Sequence, residues 1–290
     1  MKRLSLLLIL VIITLSACIS APATPQANRP VVMVSISPQA YFVQKIAGDL
    51  VEVQAMVGTG DDPHTYEPTT EQMRNLASAQ LYFSIGVEFE AAWLPRFTAA
   101  NPDLKIVDSA EGVTRIPVSS IPNGEEKGEP DPHIWLSPSR VKQISANMAA
   151  ALTELDPANA AVYEQNLATW LQEIDQVDAD IRAALSGITR RVFLSVHPSW
   201  GYFAEAYGLQ MLAVEREGQE PGPEDLAKII EQARAHQITY VFSQKGVNQK
   251  LAQSIADQLG GAQIVELDPL AQNWSENMRY VAAQLAAALK

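Results

Sequence analysis

The chain has 290 residues, with 21 lysine and arginine residues against 33 aspartate and glutamate residues, and its formal net charge is −12 at pH 7. Such an acidic protein repels phosphate backbones and anionic lipid headgroups, so we expect no nucleic-acid partner, whereas cations are compatible ligands. Cys18 is the single cysteine, which excludes an intrachain disulfide and the cysteine-based zinc sites.

The N-terminus predicts export. Lys2 and Arg3 precede an apolar run at residues 4–15, which is too short to span a bilayer, since that needs about 20 residues. Together with the small residues that follow, this pattern is typical of a signal peptide, which we place at residues 1–17. A short transmembrane anchor is the alternative. The Leu-Ser-Ala-Cys sequence ending at Cys18 resembles a bacterial lipobox, which implies a lipid on Cys18 and anchoring to the bacterial cell membrane.

Short strands alternate with helices in the body of the chain, after a flexible tether at residues 18–30 that is rich in Ala, Pro and Thr. In the first half, strands are predicted at 31–37, 51–57, 81–86 and 105–108, and helices at 38–48, 71–79, 88–100 and 137–155. Residues 119–132 predict an exposed loop. In the second half, strands are predicted at 192–196, 240–243 and 263–267, and helices at 200–207, 223–235, 248–259 and 275–289.

One long helix is predicted between the two halves. Residues 158–186 contain no glycine or proline and carry apolar side chains every three to five positions. About 29 helical residues would span about 43 Å. The sequence therefore predicts an α/β fold of two βα lobes with central sheets, at residues 31–156 and 188–290, joined by a linking helix at 157–187.

Three of the four histidines lie where strands or loops are predicted to end. His64 and His133 each follow an Asp-Pro pair, whereas His197 and Asp268 each follow a strand and precede a proline. Because proline favours an extended conformation in the residue before it, His197 and Asp268 are expected at the carboxyl ends of their strands, where open α/β sheets bind ligands.

Three imidazoles and one carboxylate form a nitrogen and oxygen shell that suits Zn²⁺, with Mn²⁺ as a further possibility. The alternative for any one of these histidines is an ordinary hydrogen-bonded role. That alternative fits His236 best, because a histidine near the end of a helix is favoured without any metal. The residues alone leave the choice between the two interpretations open.

Four motifs resemble those of the zinc/manganese solute-binding protein family of ABC transporters, in the same order, across residues 30–290. They are GTGDDPHTYEPT at 58–69, DPHIWLSP at 131–138, VHPSWGYF at 196–203 followed by YGL at 207–209, and LDPL at 267–270. The resemblance implies a metal held between two lobes by His64 and His133 from the first lobe and His197 and Asp268 from the second. It also implies a monomeric extracytoplasmic receptor that serves an ABC importer permease.

Zinc is the predicted cargo. Relatives that prefer manganese often carry a carboxylate at the third ligand position, where this chain has His197, and more imidazole favours zinc over the harder Mn²⁺. A manganese receptor and a metal-binding adhesin remain alternatives. A metallohydrolase is disfavoured, because catalytic zinc keeps an open coordination position and the sequence has no His-Glu-x-x-His motif. We therefore expect no enzymatic activity.

Further predictions concern the walls of this site. Tyr66 and Glu67 either support His64 or belong to the start of the next helix. The acidic residues of the 215–223 stretch are expected in a solvated surface loop. Gln244 stands where relatives often carry Glu-Pro, so the wall there is expected to differ. The 121–130 stretch has glutamates but no histidine, which argues against an auxiliary metal-capturing loop.

Overall fold

The computed structural model describes residues 29–118, 129–216 and 219–290. The predicted signal peptide, Cys18, nearly all of the tether and most of the predicted 119–132 loop lie outside these ranges. None of the helices within them has both the length and the apolar character needed to cross a membrane.

The first lobe is built on a parallel four-stranded sheet with the strand order β2-β1-β3-β4. Its elements are β1 (Val31–Ile36), α1 (Ser37–Ala47), β2 (Glu52–Val57), α2 (Thr70–Leu76), β3 (Leu81–Ser84), α3 (Phe89–Ala100), β4 (Lys105–Asp108) and α4 (Pro138–Leu155). Strands β1 and β3 are almost wholly buried, as expected of parallel strands that helices cover on both faces.

The second lobe repeats this arrangement, with a parallel sheet in the order β6-β5-β7-β8. Its elements are β5 (Val192–Ser195), α6 (Gly201–Tyr207), β6 (Gln210–Ala213), α7 (Pro223–Ala235), β7 (Tyr240–Gln244), α8 (Gln249–Gln258), β8 (Gln263–Leu267) and α9 (Trp274–Ala288). Strand β6 was missing from the sequence-based prediction. It has only four residues and follows α6 after Gly208 and Leu209, so it offers too short a pattern to separate from the helix.

The predicted linking helix is α5 (Ala160–Leu185), preceded by a single 3-10 turn at Pro157–Asn159. Its buried side chains recur at helical spacing, and the helix packs against α1, α4 and α9. The aromatic rings of Phe42, Trp170 and Trp274 join α1, α5 and α9, with centroids 5.8 to 5.9 Å apart. One apolar core therefore runs from the first lobe through the linking helix into the second.

Glu173 of α5 ties the same three helices together by polar contacts. Its carboxylate accepts hydrogen bonds from Lys45 (2.6 Å) and Tyr41 (3.3 Å) of α1 and from Ser275 (2.7 Å) of α9. Burial alone would raise the pKa of Glu173, but the hydrogen bonds from Lys45 and Ser275 outweigh it and hold the pKa below its usual value.

A depressed pKa makes this carboxylate a pH-dependent source of stability. Its contribution is fully present above the unfolded-state pKa of about 4.3 and is lost as the pH falls through the lower folded-state value. We expect Glu173→Gln to lower the free energy of unfolding at pH 7 by about 1 kcal/mol, since the pair is partly solvated. Urea unfolding at pH 7 and pH 3.5 should show a smaller acid-induced loss in the variant. An equal loss in both proteins would contradict this role.

Candidate metal site

Loops at the carboxyl ends of the strands carry most of the predicted ligands. His197 lies two residues after β5, Asp268 directly follows β8, and His64 lies in the loop between β2 and α2. His133 stands just before the 3-10 turn Ile134–Leu136 that leads into α4. The two lobes present these loops to each other, so both contribute to one site.

The three histidines line one cavity of about 190 Å³ between the lobes. The ring centroid of His197 lies 5.2 Å from that of His64 and 5.4 Å from that of His133. His133 and His197 are buried, and His64 is partly exposed. The structure thus brings together the three histidines that the sequence selected, whereas His236 lies exposed at the end of α7.

A buried carboxylate holds each of the two buried rings. Asp131 Oδ1 lies 2.8 Å from His133 Nδ1, and Glu215 Oε2 lies 2.9 Å from His197 Nδ1. An ionised carboxylate can only accept a hydrogen bond, so Nδ1 carries the proton and Nε2 keeps its lone pair. This is the arrangement by which proteins orient an imidazole toward a metal.

The third ring, His64, has a looser partner. Its Nδ1 lies 3.5 Å from Glu88 Oε1, and the Glu88 side chain is 41% exposed. The backbone around His64 is fixed by an Asx turn, in which the His64 amide donates to Asp62 Oδ1 at 3.0 Å. Tyr66 donates to Gln72 and Glu67 is exposed, which supports the interpretation that both belong to the start of α2.

Glu215 was wrongly expected in a solvated surface loop. It is 2% exposed, follows the end of β6 and lines the cavity. Its second oxygen, Oε1, accepts a hydrogen bond from the side-chain amide (Nδ2) of Asn248. The backbone of Asn248 has a positive φ of 45°. Because β6 was not predicted, the position of Glu215 at a strand end could not be recognised from the sequence.

Asp268 lies beside the cavity but does not line it, although the next two residues, Pro269 and Leu270, do. Its Oδ1 accepts a hydrogen bond from the Leu270 amide at 2.8 Å. Burial raises the pKa of Asp268, and the hydrogen bond from the Leu270 backbone amide only partly opposes this. Among the described residues, no three His, Cys, Asp or Glu side chains stand close enough together to share one ion. The four-ligand set therefore stays a prediction.

The remaining walls are aromatic and polar. Trp135 packs beside His133, with centroids 5.3 Å apart, and its indole donates to the Pro269 carbonyl at 2.7 Å. Gln244, at the end of β7, also lines the cavity. A second cavity of about 180 Å³, lined by Glu129, reaches the same three imidazoles from another side.

Two parallel-sheet lobes joined by a long helix, with imidazoles from both around one cavity, define a metal-binding solute-binding protein. The sequence profile of the ZnuA family, described as zinc-uptake complex component A periplasmic, matches residues 32–288, and the chain belongs to this family. The predicted family and fold class are thereby confirmed. Members are substrate-binding proteins of ABC transporters, so the chain is not an enzyme, and the metallohydrolase alternative is excluded.

A solved structure shares the fold of this chain, and relatives matched by sequence differ in the metal for which they are named. The crystal structure of ZnuA superimposes on this protein with a TM-score of 0.85, and the two sequences are 41% identical. The match covers 91% of this chain and 100% of that chain. The manganese ABC transporter substrate-binding lipoprotein PsaA of Streptococcus anginosus is 28% identical over 88% of this chain and 86% of its own length. The zinc-binding lipoprotein AdcA of Streptococcus pneumoniae is 26% identical over 90% of this chain, which spans 54% of that protein.

Proposed function

We propose that the chain captures Zn²⁺ outside the cytoplasm and delivers it to the permease of an ABC importer. The observation that carries the choice of zinc is the set of three imidazoles around one cavity, two of them held by buried carboxylates. Imidazole nitrogen suits Zn²⁺, whereas Mn²⁺ prefers sites richer in carboxylate oxygen. A manganese receptor is the alternative cargo assignment, and PsaA, one of the relatives, is named for that metal.

We assign the ligands as Nε2 of His64, His133 and His197 together with the carboxylate of Asp268. Zinc–nitrogen bonds are about 2.0–2.1 Å long, so rings whose centroids are 5.2 to 5.4 Å apart suit a shared ion after small inward movements. Asp268 needs the larger shift, since it must give up its contact with the Leu270 amide. Binding should therefore order the loops of both lobes around the ion.

The proposed location is the outer face of a bacterial cell membrane, with a lipid on Cys18 and the tether at residues 18–30. Three observations support it: the basic and apolar N-terminus, the description of the family as periplasmic, and the naming of two relatives as lipoproteins. The receptor is proposed to act as a monomer and to meet its permease through the two-lobed body.

Competitive titration of the full metal-free chain in detergent with Zn²⁺ and Mn²⁺ tests the cargo. We expect one ion per chain and a dissociation constant for zinc that is lower by about tenfold or more. Tighter binding of manganese would keep the receptor and change its cargo. Binding of neither ion would contradict the site itself.

A further inference from the structure

Residues of the second lobe press against the carboxylate that holds His133. Asp131 is 0% exposed, and its Oδ1 accepts from both the backbone amide (2.9 Å) and Nδ1 (2.8 Å) of His133. Its other oxygen, Oδ2, is buried and has no hydrogen-bond partner among the described residues. Oδ2 faces Gly201, the first residue of α6, and a Cβ at Gly201 would lie only 2.7 Å from it. Only glycine therefore lets α6 approach Asp131 this closely.

The next residue of α6, Tyr202, makes hydrogen bonds to the backbone at Asp131 and Ile116. Its hydroxyl donates to the Asp131 carbonyl at 2.8 Å and accepts from the Ile116 amide at 3.1 Å. Burial raises the pKa of Tyr202 to about 12, so the hydroxyl remains a donor at neutral pH. The Arg140 guanidinium lies 4.3 Å from the centroid of the Tyr202 ring and pairs with Glu205 of α6 at 2.7 Å.

We propose that Gly201 and Tyr202 are positioning residues for the metal-binding face of His133. They fix Asp131, and Asp131 fixes both the direction of the His133 ring and the nitrogen that carries its proton. The proposal rests on the function proposed above for His133 as a ligand. Helix α6 starts four residues after His197, so the helix that contacts the support of the His133 ring also follows His197 closely in the chain.

The geometry gives this contact a directional effect. Asp131 Oδ1 bridges the His133 backbone and ring, so a tilt of the carboxylate turns the ring about its own backbone. A ring that loses its Nδ1 acceptor also exchanges its proton between Nδ1 and Nε2, and an Nε2 that carries a proton cannot bind a metal. Tyr202 therefore acts on metal affinity through Asp131 rather than by touching the ion.

The test compares Tyr202→Phe with Tyr207→Phe in the full chain. Tyr207 lies on the same helix and its hydroxyl donates to Asp178 at 2.8 Å, away from Asp131. Each variant therefore removes one tyrosine hydroxyl from α6, but only Tyr202→Phe removes contacts with the Asp131 segment. We expect Tyr202→Phe to bind Zn²⁺ about tenfold more weakly than wild type, and Tyr207→Phe to bind within about twofold of it. Gly201→Ala, which pushes on Oδ2 itself, should lose more than Tyr202→Phe if it folds.

The ¹⁵N chemical shifts of the His133 ring in the metal-free protein provide a readout that needs no metal. Wild type and Tyr207→Phe should show the Nδ1–H tautomer, and Tyr202→Phe a mixture of tautomers. Unchanged His133 shifts in Tyr202→Phe, or zinc affinity equal to that of Tyr207→Phe, would overturn the positioning role. Failure of wild type to bind any metal would instead overturn the proposed function, and the ring shifts would still decide the positioning role.

Discussion

Replacing His64 with alanine is expected to weaken Zn²⁺ binding by about 10²- to 10³-fold while leaving the metal-free fold nearly as stable as wild type. One of the four proposed ligands would account for roughly 3–4 kcal/mol of a zinc-binding free energy of about 10–16 kcal/mol. The fold is spared because Glu88, the partner of His64, has a side chain that is 41% exposed and stays hydrated without it. Chelator competition measures the affinity, and urea unfolding of the metal-free chain measures the stability.

His197→Ala should lower both the zinc affinity and the stability of the metal-free fold. Among the described residues, the variant leaves Glu215, 2% exposed, with only the side-chain amide of Asn248 as a hydrogen-bond partner, which we expect to cost about 3 kcal/mol of unfolding free energy. His236→Ala is the matched control, because this exposed histidine lies outside the site. Its loss should leave the zinc affinity unchanged and should cost only about 0.5 kcal/mol of stability at the end of α7. Zinc affinity that survives His64→Ala within about threefold would remove His64 from the ligand set.

The second large effect is expected at Glu215. Its two oxygens accept hydrogen bonds from His197 Nδ1 and from the side-chain amide of Asn248, so both oxygens must be acceptors. In Glu215→Gln one oxygen becomes an NH₂ group, which sets a donor against a donor at one of these contacts. If the NH₂ faces His197, the ring must move its proton to Nε2, where the proton excludes the metal. We expect zinc affinity to fall by about 10- to 100-fold, measured by the same competition.

Glu88→Gln serves as the comparison for this variant. Glu88 Oε1 lies 3.5 Å from His64 Nδ1, and the Glu88 side chain is more exposed than that of Glu215. Glu88→Gln should therefore lower the zinc affinity by a factor several times smaller than Glu215→Gln does. Equal effects of the two substitutions would mean that burial and the contact with Asn248 give Glu215 no special role. A gain in zinc affinity for Glu215→Gln would reverse the assignment of His197 Nδ1 as a donor.

The sequence predicted the parts of this molecule that local patterns encode. Buried parallel strands appear as continuous apolar runs, and α5 as a long stretch with helical spacing and no breaking residue. Prolines marked the ends of strands, and their positions singled out His197 and Asp268 as residues at strand ends. Thr69 and Gln72 have the spacing of a capping box, another local pattern, and the structure shows both of its hydrogen bonds.

The supports of the rings were not predictable in the same way. Glu215 depends on Asn248, a residue 33 positions further along the chain, and on a four-residue strand without a clear pattern. Asp131 was part of a recognised motif, yet nothing local shows that its carboxylate faces Gly201 across the junction of the lobes. Burial of an acidic side chain depends on partners that are distant in sequence, whereas the residue type alone predicts that the side chain is exposed.

The aromatic cluster of Phe42, Trp170 and Trp274 has a consequence for the speed at which cargo leaves. These side chains are buried, and swinging the lobes apart would expose one or more of them. Exposing about 200 Å² of one tryptophan costs about 5 kcal/mol at 25 cal/mol per Å², which slows such an opening by roughly 10³- to 10⁴-fold. The cheaper route loosens only the loops that carry His64 and Asp268, which leaves the core intact. A transporter that empties this receptor would therefore accelerate release by pulling on those loops, and the body would dissociate in the same shape in which it arrived.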